Sequence, residues 1–141
     1  MQLAQLIYAS RHDGTAVDTL DRILQKSRDN NVRDGITGAL IVGDQHFMQL
    51  LEGEATTIGE CFMRIMRDDR HHGIQVLCAH DVDHRLFAEW SMHRIETFRI
   101  KQKILSRYTI EGVFDPARMS QRAITDMCRT LAAGDWDALA A

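Results

Sequence analysis

The period of the hydrophobic positions changes several times along the chain. From Leu3 to Ser10 the alternation is strand-like, with Leu6, Tyr8 and Ser10 on one face and Leu3, Ile7 and Ala9 on the other. Both faces are largely apolar, which predicts a central strand covered on both sides. The loop Arg11-His12-Asp13-Gly14 closes it. From Val17 the period lengthens. Leu20, Ile23, Leu24 and Ser27 recur at helical spacing, so a helix is expected to about Asn30, with Asn30 and Asn31 at its C-terminal end. Asp34-Gly35 turns the chain into a second strand, Ile36 to Val42. Gly38 in its interior predicts close approach of another group. Gly43-Asp44-Gln45 connects to a third strand, His46 to Glu52.

Thr57-Ile58-Gly59-Glu60 has the form of a capping box and predicts a second helix whose apolar face is Ile58, Cys61, Phe62 and Ile65. That helix is expected to end around Asp68 to His72, before Gly73. Ile74 to Ala79 reads as a fourth strand and Trp90-Ser91-Met92 as part of a fifth. The order β-α-β-β-α-β-β predicts an α+β, ferredoxin-like sandwich with both helices on one face of the sheet. Beyond it, Phe98, Lys101, Leu105 and Tyr108 keep helical spacing, and Asp115-Pro116 reads as an N-cap and first turn of a last helix to about Leu131. These two additional helices are expected to cover the other sheet face, where Ile7 would otherwise be exposed.

Composition narrows the picture. At 141 residues the chain is the size of one domain and can bury a core without staples. Cys61, Cys78 and Cys128 are scattered, with no C-x-x-C pair, which argues for a reducing, cytoplasmic setting. A net charge of −3 argues against nucleic-acid binding by bulk electrostatics. The locally basic stretch Arg94, Arg99, Lys101, Lys103 and Arg107 reads as a solvated face. Neither a signal peptide nor a run of apolar residues long enough to span a bilayer is visible, so no membrane association is expected. His80 and His84 are not on a helix-like segment, and no metal site is expected. No phosphate-binding glycine loop is present.

Gln49 shares a face with Phe47 and Leu51. A buried amide without partners costs about 1–3 kcal/mol, so it must be bonded. It is either a core glutamine tied to the backbone or a donor–acceptor pair presented to a ligand. An amide carries its acceptor and donor at opposite corners, so rotation exchanges what a partner meets. Tyr8, also mid-strand, is either a packing aromatic or a partner for that amide. Asn30 and Asn31 read as a helix cap or as ligand-facing amides. Arg70 and His71 read as a solvated terminus or as donors to phosphate oxygens.

Taken in order, these segments resemble one family, the BLUF domains, blue-light sensors using flavin. Leu6-Ile7-Tyr8-Ala9-Ser10 is similar to its first strand, and Ser27-Arg28-Asp29-Asn30-Asn31 followed by Gly35-Ile36-Thr37-Gly38 to its first helix end and second strand. Phe47-Met48-Gln49-Leu50-Leu51-Glu52-Gly53 resembles its glutamine strand. Arg64 to His71 resembles the end of its second helix, and Arg85 to Met92 closes the likeness. Ala39 and Val42 stand where many members have leucine and tyrosine.

The resemblance implies a flavin, FAD by family habit with FMN possible, between the two helices. Ile23 and Ile65 would sandwich the ring. Asn31 would bond its polar edge, with Asn30 and Ser27 nearby. Arg64, Asp68, Arg70 and His71 would hold the ribityl and phosphate part. Gln49 would face the ring and Tyr8 would bond Gln49, the two being the photochemical residues. Trp90 and Met92 would compete for the place beside Gln49 and carry the signal. Residues 1–96 would form the flavin-binding domain and 97–141 a helical extension packed on the sheet. With no room for a fused effector there, a non-enzymatic photosensor acting through self-association, as a dimer, or through an unidentified downstream protein is expected. Two other readings compete: a small acylphosphatase-like hydrolase using Arg11 and His12 to bind an anion, and a flavin-free interaction module.

Overall fold

The first strand does lie inside the sheet, with a neighbour on each side. In a computed structural model of the chain, which describes residues 2–12, 17–67 and 72–139 and leaves the side chains of 17–21 and 23 outside that description, β1 (Leu3–Arg11) lies between β4 (His72–Asp81) and β3 (His46–Glu54), antiparallel to both. The five-stranded order is β4-β1-β3-β2-β5, with β2 at Thr37–Val42 and β5 at His93–Glu96. The β2–β3 hairpin is antiparallel, whereas β5 runs parallel to β2. This is the α+β, ferredoxin-like sandwich that the pattern predicts.

The alternating side chains of β1 feed two cores. Tyr8 and Leu6 join Leu40, Phe47, Leu51 and Met92 beneath α1 (Val17–Asp34) and α2 (Ala55–Met66). Ile7 joins Met48, Leu50 and Ile41 on the opposite face, under Tyr108, Phe114, Ile124 and Met127 of the C-terminal segment. A strand with two buried faces needs a cover on each side, and the residues after β5 supply the second.

Several element boundaries differ from the sequence expectation, each for a local reason. Asn30 and Asn31 lie inside α1 rather than capping it. The cap is Gly35, whose φ of +67° takes the left-handed position, while the Ile36 amide donates to the Asn31 carbonyl at 2.9 Å. Helix α2 begins at Ala55, not at Thr57. Glu54 is the cap, its carboxylate accepting from the Thr56 and Thr57 amides at 3.2 and 3.1 Å. Those backbone donors hold the Glu54 carboxyl below its ordinary range. The fifth strand starts at His93 and leaves Trp90–Met92 as the segment leading into it.

The helix expected across Phe98 to Tyr108 is broken. Two short 3-10 turns, Thr97–Arg99 and Ser106–Tyr108, flank a four-residue α3 (Gln102–Leu105). The break lies where Ile100 bridges to Asp137 and the Lys101 amide donates to the Trp136 carbonyl at 2.8 Å. Backbone pairing with the tail needs extended geometry there, and Phe98 is left 76% exposed. Asp115-Pro116 likewise opens only a 3-10 turn. Helix α4 (Gln121–Ala133) is capped instead by Ser120, whose hydroxyl oxygen accepts from the Ala123 amide at 3.1 Å.

Candidate functional site

The hairpin register sets Tyr8 directly opposite Gln49, both facing α1 and α2. Both are buried, at 3% and 7% exposure. The Tyr8 hydroxyl donates to Gln49 Oε1. The other corner of the amide is also engaged: Gln49 Nε2 donates to the Met92 thioether sulfur at 3.3 Å. Phe62 of α2 tilts against the Tyr8 ring with centroids 5.3 Å apart. A phenol, an amide and a thioether thus form one bonded chain across β1, β3 and the lead into β5.

Trp90 and Met92 are separated by burial. Met92 is 1% exposed beside Gln49, while Trp90 is 48% exposed with its ring 4.0 Å from that of His93. The segment between them is tied down. The carbonyls of Trp90, Ser91 and Met92 accept, in turn, from the Gly38 amide at 3.0 Å, Asn31 Nδ2 at 2.7 Å and Arg28 Nε at 3.1 Å. The close approach expected at Gly38 is real: a Cβ there would stand 1.9 Å from the Leu50 carbonyl oxygen.

Of the ligand-facing residues expected on α1, Asn31 is buried on the site side of the helix, with Ser27 and Asn30 half-buried. On α2, Ile65 is half-buried against the Tyr8 cluster. Arg64 is half-exposed and pairs with Asp34 at 3.1 Å. Arg33 and Arg64 together hold the Asp34 carboxyl below its usual range. The side chain of Ile23, and Asp68, Arg70 and His71, lie outside the described residues. His12, the anion ligand of the hydrolase reading, is buried instead, with Nε2 bonded to the Gly43 carbonyl at 3.0 Å and its ring stacked on Phe47. Among the described residues no cluster of His, Cys, Asp and Glu could hold a metal ion, and no helix is long and apolar enough to cross a membrane.

Glu52 was not legible as a site residue. It is wholly buried, its oxygens accepting from the Leu86 and Phe87 amides at 2.9–3.0 Å and from Gln5 Nε2 at 3.1 Å. Arg85 Nη1 reinforces the tie by donating to Thr37 Oγ1 and the Glu52 carbonyl. The loop that ends in Trp90 and Met92 is therefore anchored to the glutamine strand itself. Its signal in the sequence is a carboxylate in phase with Met48 and Leu50.

The donor set suits a flavin. The polar edge of that ring system alternates acceptors with an N–H, and carboxamides such as those of Asn31 and Gln49 supply both complements. Phe62 and Ile65 offer apolar contact beside them. Residues 3–93 match the family described as BLUF, sensors of blue-light using FAD. The chain belongs to that family.

Over 78 residues the chain is 32% identical to the blue light- and temperature-regulated antirepressor BluF of Escherichia coli (strain K12), covering 54% of this chain and 19% of that protein. Among solved structures, BlsA in its photo-activated state superposes with a TM-score of 0.82 at 29% identity, over 95% of this chain and 97% of that one. The BLUF protein BlrB in its dark state gives 0.78 at 30% identity, over 94% and 96%.

Proposed function

We propose that this chain senses blue light with FAD bound between α1 and α2, that Tyr8 and Gln49 are its photochemical residues, and that residues 97–141 pass the change to a protein partner or a second copy of the chain. The observation that carries the reading is the continuous chain from the Tyr8 hydroxyl through the Gln49 amide to Met92. A flavin there supplies absorption of blue light and, once excited, oxidising power. Tyr8 is the reductant, because its phenol carries an electron and a proton together and that proton has a ready acceptor in Gln49 Oε1. On return of the electron the Gln49 amide is left with donor and acceptor corners redistributed, by rotation or tautomerisation. Met92 Sδ then no longer meets the same group. No covalent bond outlasts the cycle, so the arrangement reverts in darkness.

Asn31 and Ile65, with Ile23, Ser27 and Asn30, are assigned to the ring, and Arg64, Asp68, Arg70 and His71 to the ribityl and phosphate part. The antirepressor role stated for the E. coli relative supports a protein partner, and the three unpaired cysteines suit a reducing, cytoplasmic compartment. One exchanged hydrogen bond nets about 0.5–1.5 kcal/mol, against about 5.5 kcal/mol for a switch from 1:99 to 99:1. Output is therefore a partial shift of populations.

The test is optical. The purified protein should be yellow, release FAD rather than FMN on denaturation, and show a reversible shift to longer wavelength under blue light. Tyr8→Phe should keep the flavin and lose the shift. Undiminished photochemistry in the Tyr8→Phe variant removes Tyr8 from its role, and a chain that cannot be loaded with flavin removes the whole reading.

A further inference from the structure

The outer strand β4 breaks step with β1 beside Tyr8. Ile7 pairs with Cys78, but Tyr8 pairs with Val76, so Leu77 is an extra residue in the ladder. Neighbours in a regular strand face opposite ways. Leu77 and Cys78 both pack against the core beneath the C-terminal segment, whereas Ile74 packs in the Tyr8 cluster. A bulge produces that pattern. Carried straight on from Cys78, the register would set Leu77 opposite Tyr8 and turn the preceding side chains of β4 to the other face. Leu77 would then leave the C-terminal core, and Ile74 the Tyr8 cluster.

A bulged residue is left out of the ladder, so its backbone groups need another partner. The Leu77 carbonyl finds one in the C-terminal segment. Gln121, the first residue of α4, donates to it from Nε2 at 2.6 Å. The same helix buries Ile124 and Cys128 in the core that Leu77 and Cys78 join. We propose that Gln121 is a positioning residue: it pins the bulge, fixes which residues of β4 flank Tyr8, and so ties the first turn of α4 to the strand of the photochemical tyrosine. The tie reaches Tyr8 from β4, at the edge of the sheet remote from β5. Its part in light signalling rests on the flavin-sensor reading; the tie in darkness does not.

The experiment compares wild type with Gln121→Glu, which offers the Leu77 carbonyl only acceptors, and with Gln121→Arg, which restores a donor. Position 121 is exposed, so both variants should fold. Flavin-loaded protein kept dark is alkylated with iodoacetamide, and Cys78 is followed by peptide mapping. Cys78 is half-buried beside the bulge, while Cys61 and Cys128 are buried. Loss of the bond should speed alkylation of Cys78 about fivefold in Gln121→Glu, with Gln121→Arg within about twofold of wild type. Glutamate suits a helix N-terminus better than arginine, so a general weakening of α4 would give the opposite order. Equal rates in wild type and Gln121→Glu overturn the proposal, as does the same acceleration in both variants. Under blue light, amide exchange at residues 121–124 should change in wild type, and by less than half as much in Gln121→Glu; equal changes would remove the tie from signalling. A protein that shows no light-induced spectral shift would sink the proposed function and leave the thiol result standing.

Discussion

Replacing Glu52 by glutamine removes a charge and one acceptor oxygen from a position with no exposure to water. Two effects oppose each other. Burying a carboxylate is costly, and neutralising it relieves that cost. Against this, the Leu86 and Phe87 amides and Gln5 Nε2 all point at the carboxylate. A glutamine keeps one oxygen for them and turns an NH2 toward at least one donor. A hydrogen bond to a charged group is worth about 1.5–3 kcal/mol, and an orphaned buried donor costs about 1–3 kcal/mol. With three donors aimed at one group, the loss of bonds wins. Arg85 still ties the loop to the Glu52 backbone, so the fold survives. The expected loss is about 2–4 kcal/mol, or about 8–16 °C in Tm for a chain of this length. Urea unfolding of the flavin-free wild type and variant measures it without the added stability that a ligand confers. A loss under about 1 kcal/mol would refute the reasoning, since the carboxylate would then be no better an acceptor for those amides than a neutral amide.

Other consequences are as direct. Gly38→Ala should fail to give folded protein or lose more than about 3 kcal/mol, because its Cβ meets the Leu50 carbonyl of the neighbouring strand and neither backbone can yield; expression yield and urea midpoint report it. Burial pushes the Cys128 thiol up to about 12, so a thiol reagent at mildly alkaline pH should leave Cys128 unmodified until the protein is denatured and should reach the half-buried Cys78 first. Burial, then the nearby Arg28, holds the His93 imidazole below its ordinary value, with Asp137 opposing. The unfolded chain therefore takes up a proton at His93 at higher pH than the folded one does. The associated stability is complete above about pH 6.5 and is lost as pH falls below it. The drop in Tm between pH 7.5 and 5.5 should be smaller in His93→Gln than in wild type, and equal drops would show that His93 is not shielded.

Much of the site was readable in the chain alone. A period of two in β1 and β3, joined to the antiparallel logic of a sheet, puts Tyr8 and Gln49 on buried faces that can meet, and an interior glycine marks the close approach at Gly38. Local caps were less legible. Thr57 and Asp115 carry good capping chemistry, but Glu54 and Ser120 stand where the backbone actually turns into the helix. The helical spacing across 98–108 was overruled by a partner far along the chain, since residues 99–101 pair with the tail at 136–138.

The sequence by itself determined the order of elements, the two-faced central strand and the residue types that chemistry would need, because these follow from side-chain periodicity and local hydrogen bonding. Which of Trp90 and Met92 sits beside the amide, which acid anchors the loop, and which arginine holds the segment were decided only by tertiary structure. Residues 28, 31, 38, 52 and 92 meet through bonds that span tens of positions in the chain, and no local pattern encodes such a meeting.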